Sequence, residues 1–252
     1  MDEERALNPI DVPAYLMTHP VTSERIANMQ QVIRSLGNPV FSIEEPDPLK
    51  KIQTILRMER GDGAAALAAY EKLAAEKPSS AEVLYLLGFA RQLNGQLAQA
   101  RQSYEQAREL TPNNPALLRD LARLYTQLGN FEGADAALHR SLELQPKEPL
   151  TYLYLGELHD KRNDFRSAVG AYQNAHVLAP LWDKPPHHLG VAYGKLDRLG
   201  DAYYYLGRSL LLQDEDEKAF AALEKAAKIV GASSPRGQLI REELQSLKAR
   251  RK

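Results

Sequence analysis

The chain has 252 residues, enough for one or two domains with a sizeable core, and 44% of them are apolar. Its formal net charge of −1 gives no reason to expect binding to nucleic acid or to an anionic membrane surface. With no cysteine, disulfides and thiolate metal sites are excluded, and no apolar run is long enough to span a bilayer.

The amino terminus, MDEERALNPID, is acidic and polar, unlike a secretory signal. Residues 1–36 share no periodicity with the rest of the chain. They carry Pro13 to Pro20, then Thr22 or Ser23 as a cap for a helix with Ile26, Met29, Ile33 and Leu36 on one face, closed by Gly37. Residues 37–50, with three prolines and three acids, read as a linker.

From residue 51 the sequence is periodic. Pro78, Pro112, Pro146 and Pro180 are 34 residues apart. Ala66, Ala100, Ala134 and Ala168 lie 12 residues before them, and Tyr70, Tyr104, Leu138 and Tyr172 lie 8 before. Each proline ends a helix, since it lacks an N–H and clashes with the preceding turn. The small residue lets two helices of a hairpin approach, and the large one fills the space a turn later. First helices repeat too: Leu84, Leu87 and Gly88; Leu118, Leu121, Ala122 and Tyr125; Tyr152, Leu155 and Gly156.

The first hairpin, about 50–77, is degenerate: Ile52, Ile55 and Leu56 supply its apolar stripe and Thr54 takes the glycine position. Ser79 and Glu82 have capping-box spacing, Asn114-Pro115 and Pro149 start helices, and Gly95, Gly129 and Asn163 mark turns needing positive φ. After 183 the register blurs. Pro185 and Pro186 open a first helix with Leu189, Gly190 and Tyr193. The next helix, from about Gly200 to Leu212, fits two registers: Ala202 and Leu206 as the second helix of one unit, Tyr203, Leu206 and Gly207 as the first of another, with Ala219, Leu223 and Ala226 on its partner. Gly231 ends that partner, and Ser234-Pro235 starts a helix with Leu239, Ile240, Leu244 and Leu247 that caps the array. The basic end, 248–252, reads as a solvated tail.

This pattern resembles the tetratricopeptide repeat (TPR), a helix–turn–helix unit of 34 residues that stacks into a superhelix. It implies an all-α, right-handed solenoid of about five to six hairpins over 51–231, with a capping helix at 232–252. In such an array the first helices line a concave groove. Register places Tyr85, Phe89, Arg119, Arg123, Tyr154, Glu157, Lys184 and His187 along it, a mixture suited to an extended peptide. Tyr203, Tyr204 and Tyr205 face three directions, and Tyr204 is the expected contact outside the core. The lysine and asparagine set of the chaperone-binding carboxylate clamp is absent.

A second resemblance covers residues 13–31. Thr18-His19-Pro20 followed by Ser23-Glu24-Arg25-Ile26 is similar to the last stretch of a zinc metallopeptidase family that includes the CAAX prenyl proteases and BepA-like periplasmic proteases. In the BepA-like branch a linker and a TPR domain come next, the order seen here. The resemblance implies that His19 lies near the metal of a complete enzyme and that Arg25 braces its segment. It also implies outer-membrane proteins and their assembly machinery as partners, and a periplasmic location. None of the six histidines is followed by glutamate, so the zinc-binding H-E-x-x-H helix is absent and neither peptidase activity nor a cofactor is expected of this chain itself. The alternative is a free-standing cytosolic TPR adaptor that begins at Met1. Adjacent His187 and His188 diverge by about 100° on a helix and make no shared metal site. His159 reads as a packed core histidine, and no phosphate loop, dinucleotide fingerprint or nucleophile elbow is found.

Overall fold

A computed structural model describes residues 48–59, 62–231 and 234–250. All of them fall in one compact unit, Glu44–Lys252. The predicted helix after Thr22, with the segment that contains His19 and Arg25, lies outside the described residues.

The described residues form twelve α-helices and no strand: α1 (Pro48–Glu59), α2 (Gly63–Glu76), α3 (Ala81–Leu93), α4 (Leu97–Leu110), α5 (Pro115–Gln127), α6 (Phe131–Leu144), α7 (Pro149–Lys161), α8 (Phe165–Leu178), α9 (Lys184–Lys195), α10 (Leu199–Leu212), α11 (Asp216–Val230) and α12 (Pro235–Arg250). Consecutive helices pack as antiparallel hairpins stacked side by side, a TPR solenoid. Each phased proline lies two residues past a helix end, at α2, α4, α6 and α8.

One side-chain rule builds the hairpins. A small residue on the first helix faces a large one 16 positions later. A Cβ on Gly88 would lie 2.7 Å from the Tyr104 ring, one on Gly156 would overlap the Tyr172 ring, and one on Gly190 would meet Leu206 at 2.6 Å. The α5–α6 hairpin uses Ala122 and Leu138 at the same positions, both fully buried. In the first hairpin the pair is polar: Thr54 Oγ1 and the Tyr70 hydroxyl are 2.9 Å apart, and the threonine also donates to the Lys50 carbonyl. Because Thr54 turns inward, the predicted stripe turns outward, and Ile52, Ile55 and Leu56 are exposed.

The turns agree with the sequence. Gly95, Gly129 and Asn163 have φ of 76°, 75° and 59°, and Asp197 and Asp214 continue the series at 56° and 58°. Asn114 accepts from Leu117 N–H at 3.0 Å, and Glu148 caps α7 in front of Pro149. The cap of α3 is Ser80 rather than Ser79: its hydroxyl accepts from Val83 N–H, which leaves Glu82 to pair with Lys50.

The double register of α10 is real. As a second helix it fills Gly190 through Leu206, and Ser209 donates to the Asp183 carbonyl, as Ser141 of α6 donates to the Pro115 carbonyl. As a first helix it presents Gly207, whose Cβ would lie 2.8 Å from Leu223 of α11, again 16 positions later. Gly190 and Gly207 are 17 residues apart, half a repeat. The array therefore advances by half a unit at α10. In this new phase α12 packs on α11 and reaches α10 through Arg236 and Glu243, with Ile240 and Leu247 buried and Leu239 exposed.

Candidate functional site

The predicted groove residues separate into two groups. The first surrounds Asp120, a fully enclosed carboxylate on α5. Tyr85 donates its hydroxyl to Asp120 Oδ2 at 2.5 Å, Arg119 Nε lies 3.5 Å from Oδ1, and Lys51 of α1 forms an ion pair with the same carboxylate. Burial alone would raise the Asp120 carboxyl, but the Lys51 and Arg119 charges and its hydrogen bonds hold it below the usual carboxylate range. The Lys51 ammonium also lies 4.7 Å from the Phe89 ring centroid and 5.6 Å from that of Tyr85. Tyr85 and Phe89, expected to line the groove, are thereby covered and buried. Arg119 is spent on Asp120 and, at 4.0 Å, on Glu148. Periodicity could not reveal this cluster, since Lys51 and Asp120 are 69 residues apart. Asp120 itself was visible as an acid amid Leu117, Leu118 and Leu121, an incongruity that asks for a buried cation.

The second group comes together. Arg123 of α5, Tyr154 and Glu157 of α7, and Lys184 and His187 of α9 line one concavity of about 470 Å³, with Leu150, Leu153, Asp183, His188 and Gln213. It continues into a second hollow of about 350 Å³ lined by Thr126, Asp160 and Tyr172 as well as Arg123, Glu157 and His188. The Arg123 guanidinium lies over the Tyr154 ring at 5.1 Å. Burial and the nearby Asp120 push the Tyr154 hydroxyl up to about 12, against the two arginines. Burial also raises the Glu157 carboxyl, and Arg123 and Lys184 only partly offset it. His188 stacks on Tyr172 with centroids 4.9 Å apart, and burial and His187 lower its pKa. Its neighbour His187 stays exposed.

Tyr204 is the clear correction. It is 7% exposed, and Arg236 of α12 lies 4.4 Å over its ring, whereas Tyr203 is the more exposed of the three tyrosines. The half-unit advance explains this. Counted from Gly207, Tyr204 and Arg208 occupy the groove-facing positions that Leu153 and Glu157 occupy relative to Gly156. α12 then sits on that line, with Arg208 paired to Glu243 at 2.6 Å. His159 is half-buried, 3.9 Å from the Asp164 carboxylate, and not a full core residue. Among the described residues no group of three or more His, Asp and Glu side chains could hold a metal ion, and no helix is long and apolar enough to cross a membrane.

Comparisons with known proteins agree with the architecture. Two tetratricopeptide repeat family models match residues 55–115 and 91–155, so the chain carries TPR units. A third, the Est1 DNA/RNA binding domain, matches residues 168–228. Among solved structures, a crystal structure of MamA is 22% identical with a TM-score of 0.55, covering 64% of this chain and 95% of that one. Cut9 in the APC/C hetero-tetramer Cut9–Hcn1 is 18% identical with a TM-score of 0.57, covering 92% of this chain and 50% of that one. A tetratricopeptide repeat protein from Parabacteroides merdae is 16% identical with a TM-score of 0.52, covering 88% and 90%. At these identities the likeness is one of fold. No curated protein matches the sequence.

Proposed function

We propose that the chain is a protein-interaction module whose concave channel across α5, α7 and α9 holds a segment of a partner protein. One observation carries this: Arg123, Tyr154, Glu157, Lys184 and His187, from three successive first helices, line one continuous hollow. Arg123 offers a fork of N–H donors to a carboxylate or backbone carbonyl, Tyr154 an aromatic wall, and Glu157 a poorly solvated carboxylate that gains from donors on a ligand. The protein reading is favoured over nucleic acid even where the Est1 match lies. Residues 168–228 hold eight Asp and Glu against seven Lys and Arg, which gives a phosphate backbone no net attraction.

A finer reading rests on the amino-terminal motif. The order of Thr18-His19-Pro20, Ser23 to Ile26, a linker and the TPR array supports an array that serves a BepA-like zinc metallopeptidase. In that reading it handles outer-membrane proteins or their assembly machinery in the periplasm, with zinc bound by residues that this sequence does not contain. The competing reading is a cytosolic adaptor. The mass and zinc content of the polypeptide isolated from its native cell separate the two: a longer, zinc-loaded chain supports the peptidase, a zinc-free 252-residue chain the adaptor. For the channel, quantitative mass spectrometry of co-purifying proteins is compared between the native sequence and Arg123→Glu/Lys184→Glu. Selective loss of a few partners is expected, and an unchanged set refutes the channel.

A further inference from the structure

The half-unit advance at α10 has a second product. In the preceding unit, Tyr172 and His176 of α8 are covered by the next hairpin: Tyr172 stacks on His188 of α9 at 4.9 Å, and His176 meets Tyr205 of α10 edge-on at 6.2 Å. One repeat later the same positions are Leu206 and Leu210. There α11 packs in the half-unit register instead, and both leucines line an open trough of about 470 Å³. The floor of the trough is apolar, made by Leu206, Leu210, Ala221 and Ala222, with Tyr203 at its side. Its rim carries His187, Lys218 and Lys225, and no carboxylate is among the residues that line it. Lys225 lies 5.4 Å from the Tyr203 ring centroid, and Lys218 pairs with Glu215, one turn earlier and not among the lining residues.

The geometry points to a docking site in this trough for an acidic amphipathic helix of a protein partner, with its apolar face on Leu206 and Leu210 and its carboxylates toward Lys218, Lys225 and His187. Three features select this occupant. The lining residues from Tyr203 of α10 to Gln213 at its C-terminal cap run along one face for about 15 Å, close to three helical turns. The floor can bury only apolar side chains without leaving unsatisfied polar groups. The rim is cationic, so an acidic ligand is attracted and a basic one repelled. This site lies beyond the channel across α5, α7 and α9, although the two share His187 and Gln213 and thus form one run along the concave side.

The test uses the full chain and three fluorescein-labelled peptides of about four helical turns, read by fluorescence anisotropy. One bears leucine at helical i, i+3, i+4 and i+7 positions with glutamate elsewhere; the second replaces glutamate by lysine; the third replaces leucine by serine. A single-stranded RNA of similar length is run beside them. Only the acidic leucine peptide is expected to bind. Lys218→Glu/Lys225→Glu should weaken it about tenfold or more, as should Ala221→Glu, which puts a carboxylate into the trough. Arg123→Glu, in the channel, should leave its affinity unchanged. Melting curves of each variant check that the fold is kept. Equal or tighter binding of the lysine peptide, binding of the RNA in preference to the peptides, or no peptide binding at all overturns the assignment. Loss through Arg123→Glu alone overturns it too, while leaving the channel standing.

Discussion

Gly156 is where the hairpin rule can be measured. Its missing Cβ makes room for the ring of Tyr172, which is itself buried and stacked on His188. Gly156→Ala forces a methyl into that ring. With the methyl overlapping the ring, the cost belongs at the upper end of the range of about 1–3 kcal/mol for overpacking. Less the roughly 1 kcal/mol gained from the helix preference of alanine, a net loss of about 2 kcal/mol is expected. Tyr172→Leu alone opens a cavity and should cost about 2 kcal/mol. The pair Ala122 and Leu138 holds the same two positions one repeat earlier, so the double variant installs a combination the fold already uses. Its loss should therefore be smaller than the sum of the single losses, with a coupling of about 1–2 kcal/mol. Urea titration followed by Trp182 gives the readout. Trp182 is the single tryptophan, stands in the turn between α8 and α9, and packs partly buried on the core, so it reports this unit directly. Additivity to within about 0.5 kcal/mol would refute the rule that these positions form one packing unit.

Removing the Asp120 carboxylate by Asp120→Asn leaves the largely enclosed Lys51 without its anion and Arg119 with Glu148 alone at 4.0 Å, and should cost about 3 kcal/mol at neutral pH in a denaturant titration. Because the Asp120 pKa is held below its unfolded value, the stabilisation is present above the ordinary carboxylate range and is lost as pH falls through the folded pKa. The gap between Asp120→Asn and the parent should narrow on acidification. Glu157 has the opposite sign: its folded pKa is raised, so its ionised form weakens the fold as pH rises. Glu157→Gln should be more stable than the parent at neutral pH and equal to it at acidic pH, as read by melting curves. Gly95→Ala, at φ 76° with open space around it, should cost about 1–2 kcal/mol from backbone strain alone, while Asn163→Gly at φ 59° should cost nothing measurable in the same titration.

Much of the scaffold was legible because helix–turn–helix repeats write their geometry into short spacings. The proline period, the small–large pairs and the positive-φ turn residues are each decided within one hairpin, and α10 betrayed its two roles because both Gly190 and Gly207 find a large side chain 16 positions on. The groove was only half legible for the opposite reason. Whether a residue on the concave line is open depends on what lies across it, from another unit. Lys51 closes Tyr85 and Phe89, and α12 closes Tyr204, through contacts that no local spacing encodes. Arg123, Glu157, Lys184 and His187 remain accessible, over a buried Tyr154 that walls the channel, because no helix crosses α5, α7 and α9 at that level among the described residues.

The claim that this channel receives a partner is tested most directly by site-specific photocrosslinking in cells. A benzoylphenylalanine is placed at exposed Lys184, which lines the channel but not the trough, and separately at exposed Gln106 and Arg166 on second helices. The account predicts a discrete set of crosslinked proteins from Lys184 that vanishes when Arg123→Glu is added, and none in common from Gln106 or Arg166. The same crosslinks from all three positions, or crosslinks from Lys184 that survive Arg123→Glu, would contradict it.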